Sequence, residues 1–236
     1  MQPVFECKVG PHGLDPEDIS TINCILQKGG MCILPSDSSY ILTGRINVPG
    51  IAYDIDKLLE RDHMAMSLCF NSVEQVQTMT ELSNLASSFI KRFIPGGLTF
   101  IARPTSKSHI MGFLNRINVY DGTIGIRISE SLAETQMAKA FPTPSTPIRD
   151  KDLKEISDAD EALKIVSYQM IKKQRIRDLV LIRGDVLHPG LLSTVVKEIE
   201  KDGYLTIEIL RKGIIPVEEI RQAARDCFYD EIIVPD

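Results

Sequence analysis

Tryptophan is missing from the 236-residue chain and aromatic residues make up only 6% of it, so a core must come mainly from Ile, Leu, Val and Met. The five cysteines, at positions 7, 24, 32, 69 and 227, are odd in number and form no Cys-x-x-Cys pair, which argues against a zinc cluster or a disulfide framework. Several sit inside apolar runs such as 31–34 and 67–70, which predicts buried, reduced thiols. No run approaches the roughly 20 apolar residues of a membrane span. The first residues include Glu6 and lack the apolar centre of a signal peptide, so a cytoplasmic protein with no membrane partner is expected. Basic residues do not dominate either. With 27 Lys and Arg against 32 Asp and Glu, the net charge of −5 argues against a generally nucleic-acid-coating surface and leaves room for a local basic groove. No low-complexity linker or fixed-period repeat divides the chain, and 43% hydrophobic with 25% charged residues is an ordinary globular balance. One domain over 1–236 is expected.

What is present alternates between strand and helix periods. A short strand around 4–9 precedes Asp15-Pro16 with Glu17 and Asp18, a helix start. Ile19, Ile22, Ile25 and Leu26 recur at helical spacing until Gly29-Gly30 stops the run. The spacing then predicts strands over 31–34 and 40–46, a helix over 53–60 and a strand over 66–70. Ser72-Val73-Glu74-Gln75 and Ser131-Leu132-Ala133-Glu134 carry the capping-box pattern and should open helices. Between them, Leu82 to Phe93 offers a wide apolar helix face, Pro95-Gly96-Gly97 breaks it, and strands follow over 98–102 and 124–128. Three prolines in 141–150 predict an extended loop. A helix over 158–173, a strand over 178–182, a hairpin of 193–199 with 204–210 about Lys201-Asp202-Gly203, and a helix from Pro216 complete the order. The fold class these elements imply is α/β: a twisted mixed parallel/antiparallel sheet flanked by helices.

The most telling stretch is 29–40. A glycine pair closes a helix, an apolar strand follows, and it ends in Pro35-Ser36-Asp37-Ser38-Ser39-Tyr40. Polar groups just past the carboxyl end of a buried strand are where ligands settle in open α/β sheets. Farther on come Pro95-Gly96-Gly97-Leu98-Thr99, the strand Gly125-Ile126-Arg127-Ile128, the strand Ser193-Thr194-Val195 and the turn Arg211-Lys212-Gly213. In this order the motifs resemble those of the YrdC-like family, which includes threonylcarbamoyl-AMP synthases and YciO-type relatives. The resemblance runs from about 29 to about 220. It implies a cleft on a twisted mixed sheet that holds a nucleotide and a small amino acid. In the synthases, threonine and bicarbonate form a carbamate that displaces pyrophosphate from ATP, and the product feeds modification of a tRNA adenosine. ATP with Mg²⁺, L-threonine and RNA, either tRNA or a duplex, are thus the implied cofactor and partners.

Three departures fall on the parts that carry that chemistry. The family's Lys-x-Arg pair corresponds to the region Lys57-Leu58-Leu59-Glu60-Arg61. One register puts Leu58 and Glu60 on the pair, and a one-residue gap brings Arg61 onto the arginine, with Lys57 as a partial substitute for the lysine. Either way an acid enters a site meant for polyphosphate. The family's Ser-x-Asn becomes Ser145-Thr146-Pro147, and proline cannot replace an amide that both donates and accepts. Its Tyr-Gly-Leu-Gly turn becomes Tyr40-Ile41-Leu42-Thr43. The chain therefore looks closer to the YciO-type branch, a nucleotide- or RNA-binding paralogue with eroded catalytic motifs; an active synthase is the alternative.

The resemblance makes Ser36, Ser38, Tyr40, Arg61, Arg127, Ser145, Ser193 and Arg211 the nucleotide- or substrate-binding candidates. It nominates no catalytic residue and no metal ligand. Plainer readings stand beside these. Ser36, Asp37 and Ser38 suit a self-capping turn, Tyr40 a packed strand position, and Arg127 a structural ion pair. Arg61 and His63 suit a solvated helix end, and Arg211 an ordinary surface site. Of Ser193 and Thr194, strand alternation sends one inward. The basic run 172–177 suits a helix C-terminus, where it complements the dipole, better than an RNA patch.

Overall fold

The computed structural model describes residues 4–61, 65–106, 121–229 and 231–235. Helix α1 (Pro16–Gln27) starts where expected, because the Asp15 carboxylate accepts from the Glu17 amide at 2.9 Å and Pro16 fills the first turn. It ends on Gly29, whose φ of +91° is open to glycine and strained for other residues. The chain then enters β2 (Met31–Pro35), buried at every residue. Its side chains alternate between two cores, which is why the run reads as continuously apolar. Met31 and Ile33 pack with helices α2 (Ile51–Leu58) and α6 (Ala159–Lys172). Cys32 and Leu34 pack with α1 and α5 (Leu132–Met137).

Strand β2 pairs in parallel with β9 (Leu179–Arg183) and antiparallel with β3 (Tyr40–Thr43), and β1 (Val4–Lys8) extends the sheet along β9. Beyond β3 the order is β8 (Thr143–Pro147), β4 (Ser67–Cys69), β7 (Ile124–Arg127), β6 (Leu98–Pro104), β10 (Thr194–Lys201), β11 (Tyr204–Arg211) and β12 (Glu231–Ile233), with β5 (Thr80–Glu81) on β6. Parallel and antiparallel pairs mix along this sheet, as the fold class requires. Helices α3 (Val73–Met79), α4 (Asn84–Ile90) and α7 (Val217–Asp226) complete a set of seven among the described residues. A third core lies on this half, where Phe89 packs against Phe93, Phe100 and Tyr229. None of these helices is long and apolar enough to cross a membrane.

The β10–β11 hairpin turns at Asp202-Gly203, both at positive φ (55° and 83°), which suits a tight two-residue connection. Two expectations about local structure fail. The proline-rich 141–150 segment is not a loop: its centre is β8, an interior strand between β3 and β4. Proline's fixed φ is compatible with extended backbone, and the remaining residues supply enough pairing despite two missing donors. The second capping box is not one either. Ser131 stands at the N-cap of α5, but its hydroxyl donates to the Pro35 carbonyl at 2.6 Å and Glu134 accepts from Ser36. Tertiary partners outcompete the local ones.

The cysteines divide by exposure. Cys24 is exposed, against the expectation of burial, because it lies on the outer face of α1; Cys7 is half-buried, and Cys32, Cys69 and Cys227 are buried. Burial, with Asp18 nearby, pushes the Cys7 thiol up to about 11, and burial raises Cys32 and Cys69 well above the ordinary value. A disulfide reagent at pH 7.5 should therefore label Cys24 first, with Cys32 and Cys69 following only on unfolding. Fast labelling of three or more thiols in the native protein would contradict this packing.

Candidate functional site

The strand β2 ends in a turn that Ser36 closes, its amide donating to the Ser39 carbonyl at 2.9 Å. Asp37 at its tip does not cap its own backbone. One carboxylate oxygen accepts from the Ser129 hydroxyl at 2.7 Å, the Glu130 amide at 2.9 Å and the Ser131 amide at 3.3 Å. The other takes a guanidinium N–H of Arg127 at 2.6 Å. A buried acid in the β2–β3 turn thus fixes the β7–α5 junction and aims the arginine at the end of β7. Burial works against the Arg127 charge, yet Glu134 and Asp37 more than offset it and hold the guanidinium firmly protonated. Arg127 is accordingly part of an ion pair and also faces a hollow.

That hollow, about 120 Å³, lies where β4, β6, β7 and β8 meet the loop before β10. Ser38, Ser67, Thr99, Ser145 and Ser193 line it with hydroxyls, and Arg61, Arg127, Arg149 and Arg211 surround it with guanidiniums. The Thr99 and Ser193 hydroxyls are 2.8 Å apart, and Arg211 donates to the Ser193 carbonyl at 2.9 Å and hydroxyl at 2.8 Å. Two glycines make this geometry available. A Cβ at Gly125 would lie 2.7 Å from the Ser67 hydroxyl, and one at Gly213 would lie 2.4 Å from the Ser193 backbone. The Gly-Ile-Arg strand and the Arg-x-Gly turn thus need glycine for close approach.

Two of the guanidiniums, Arg61 and Arg211, are disfavoured by burial and by neighbouring arginines. Burial lowers Arg61 to about 10, with Arg149 adding to the effect and Asp56 opposing it. Burial also lowers Arg211, with Glu155 holding it up and Arg149 and Arg127 pushing it down. Ser145 Oγ, Glu155 Oε2 and the Nε atoms of Arg61, Arg127 and Arg149 are buried with no partner in the described chain. Clustered cations beside unused donors favour an anionic ligand. Among the described residues no group of three His, Cys, Asp or Glu forms a metal cluster.

Of the sequence candidates, Ser38, Arg61, Arg127, Ser145, Ser193 and Arg211 meet at the hollow. Ser36 and Tyr40 do not. The Ser36 hydroxyl turns away to Glu134, because a fully buried carboxylate demands a donor. The Tyr40 ring is core, and its hydroxyl bridges the Gly184 carbonyl at 2.8 Å and amide at 3.0 Å. The acid expected to intrude stays out of the small hollow, where Arg61 takes the cationic place, but it lines a larger neighbouring cleft beside Arg61; Glu60 pairs there with Lys173 at 2.8 Å and Lys172 at 3.7 Å, and Leu58 is core. Lys57 lies over the Tyr53 ring. His63 lies outside the described residues. Pro147 does line the hollow, so the lost amide bears on the ligand.

Sequence reading missed Arg149, Glu155, Ser67 and Thr99. The signal for Arg149 was strand alternation: positions 145, 147 and 149 all face the hollow, which a loop reading hides. A second cleft of about 640 Å³ adjoins the first. Leu58, Leu59, Leu153, Ile165 and Tyr168 give it apolar walls, and it shares Arg61, Pro147 and Arg149 with the hollow. The four cations of the basic run at the end of α6 are paired but only half offset in charge, since Lys172 and Lys173 share Glu60 and Arg175 and Arg177 share Asp54.

The family model Sua5_yciO_yrdC, described as telomere recombination, matches residues 24–213. The protein YciO of Escherichia coli (strain K12) is 24% identical over 144 residues, which cover 57% of this chain and 68% of that one. Its crystal structure superimposes with a TM-score of 0.70 at 23% identity, over 93% of this chain and all of the other. The P. abyssi Sua5 structure complexed with L-threonine gives a TM-score of 0.72 at 18% identity, covering 99% of this chain. The chain spans 62% of that Sua5.

Proposed function

As the chain belongs to the Sua5–YciO–YrdC family, related to Sua5 threonylcarbamoyl-AMP synthases, we propose that it binds ATP with Mg²⁺ and a small amino acid, L-threonine, in two adjoining compartments. The observation that carries this is the pair of arginines, Arg61 and Arg149, shared by the small polar hollow and the larger apolar cleft. A hollow of about 120 Å³ is the smaller compartment and suits an amino acid. The cleft of about 640 Å³ falls in the usual ligand range of about 300–1,000 Å³ and suits a nucleoside. Phosphates joining the two would lie against the guanidiniums, which bind them bidentately.

Binding is distinct from turnover. The synthase step forms a bond from a carbamate oxygen to the α-phosphorus and breaks the bond to pyrophosphate, so it depends on positioning and on charge stabilisation. Pro147 stands where the family carries an amide, and it supplies no donor to either reactant. This favours a nucleotide-binding paralogue that turns over poorly. A synthase reading is favoured by Arg61 and Arg149, which give the junction two cations despite the altered motif. An RNA partner has less support, because Asp54 and Glu60 engage most of the basic run.

Calorimetry with MgATP, and pyrophosphate release with ATP, L-threonine, bicarbonate and Mg²⁺, separate these readings. MgATP binding with threonine-dependent release at background is the expected result. Release at the level of P. abyssi Sua5 assayed in parallel would replace the paralogue with a synthase. Absence of MgATP binding would sink both.

A further inference from the structure

The hollow holds one anionic group that the arginines do not use up. Glu155 gives one carboxylate oxygen to Arg149 Nη2 at 3.2 Å, while its Oε2 is buried without a partner in the described chain. Its side chain is only 7% exposed, and it lines the hollow with Arg211 and Arg127. A hairpin fixes it: the backbones of Arg149 and Glu155 form an isolated bridge, and the Asp150 carboxylate accepts from the amides of Asp152 and Lys154. A buried acceptor left open costs about 1–3 kcal/mol, and against a purely anionic ligand this one would also repel. The cost is recovered if the ligand carries a donor of positive charge.

We propose that Glu155 is the specificity residue of the hollow, selecting zwitterionic ligands by accepting from their ammonium group while the arginines hold their carboxylate. The ligand class is a small α-amino acid. The inference rests on the amino-acid compartment of the reading above and adds the group that reads the amine. Its location is independent of the altered Lys-x-Arg and Ser-x-Asn motifs.

The test compares L-threonine with 3-hydroxybutyrate, which keeps the carboxylate and hydroxyl and lacks the amine, by calorimetry on the unaltered protein and on Glu155→Gln. The unaltered protein should bind L-threonine at least about tenfold more tightly, as expected for a charged hydrogen bond. Glu155→Gln keeps the shape and an acceptor for Arg149; it should erase that preference and bind inorganic pyrophosphate more tightly. Equal affinity for the two ligands in the unaltered protein overturns the proposal, and so does an undiminished preference in Glu155→Gln. If Glu155→Gln does not fold, the two-ligand comparison on the unaltered protein decides alone. Failure of L-threonine to bind while MgATP binds defeats this inference and leaves the nucleotide compartment standing; failure of both defeats the whole site.

Discussion

Asp37→Ala is expected to lower folding stability by about 3–5 kcal/mol, the range for removing one partner of a buried ion pair. The substitution leaves the Arg127 guanidinium without its 2.6 Å partner in the interior. It also strands the Ser129 hydroxyl proton and the Glu130 amide, which converge on one oxygen of Asp37, while the Ser131 amide keeps the Ser129 hydroxyl at 3.0 Å. Glu134 remains beside Arg127 as a second anion, so the guanidinium stays charged and badly solvated instead of losing its proton. At about 2–4 °C per kcal/mol for a chain of this size, the melting temperature should fall by about 6–20 °C. Asp37→Asn keeps an acceptor for Ser129 but presents an amide donor to the guanidinium, or the reverse, and should lie between. An alanine variant melting within 2 °C of the parent would show that the turn is not the tie between β2 and β7 described above.

Arg61→Gln with Arg149→Gln should weaken MgATP binding at least hundredfold. Each guanidinium hydrogen bond to a phosphate contributes about 1.5–3 kcal/mol, which corresponds to about tenfold to hundredfold apiece. The same change should not destabilise the protein as Asp37→Ala does. Arg61 donates only to the Ala65 carbonyl among its described bonds and is disfavoured by burial and by Arg149, while Arg149 pairs with Glu155 at 3.2 Å, a contact the glutamine amide can still donate to. Groups held in mutual repulsion are the usual trade of stability for function. Loss of binding with a melting temperature lowered by less than in Asp37→Ala is the expected pair of results. Affinity within threefold of the parent would mean that phosphate sits elsewhere.

Parts of this arrangement were open to inspection in the chain itself. Gly29, Asp15-Pro16, Ser72 and Asp202-Gly203 act on residues within four positions of themselves, so their turns and helix ends follow from local chemistry. The motif order brought Ser38, Arg127, Ser145, Ser193 and Arg211 forward, and these do share one hollow. Ser36 and Tyr40 had the same claim by position and lost it to Glu134 and Gly184, at separations of 98 and 144 residues. The failure of Ser131-Leu132-Ala133-Glu134 as a capping box has the same origin. Its two ends found partners in the β2–β3 turn, with sequence separations of 96 and 98 residues.

Sequence by itself determined most element types, the mixed sheet and the family, because period, capping and glycine placement are read within a few residues, and it misread β8, whose prolines look like a loop locally. Tertiary structure alone decided that Glu60 pairs with Lys172 and Lys173 at the end of α6 while Arg61 reaches the hollow, since adjacent side chains leave the backbone in different directions. It alone set Arg149 and Glu155 together at the rim. The physical reason is that a site's field and free hydrogen-bonding capacity are sums over groups distant in the chain, and only folding fixes the distances that enter those sums.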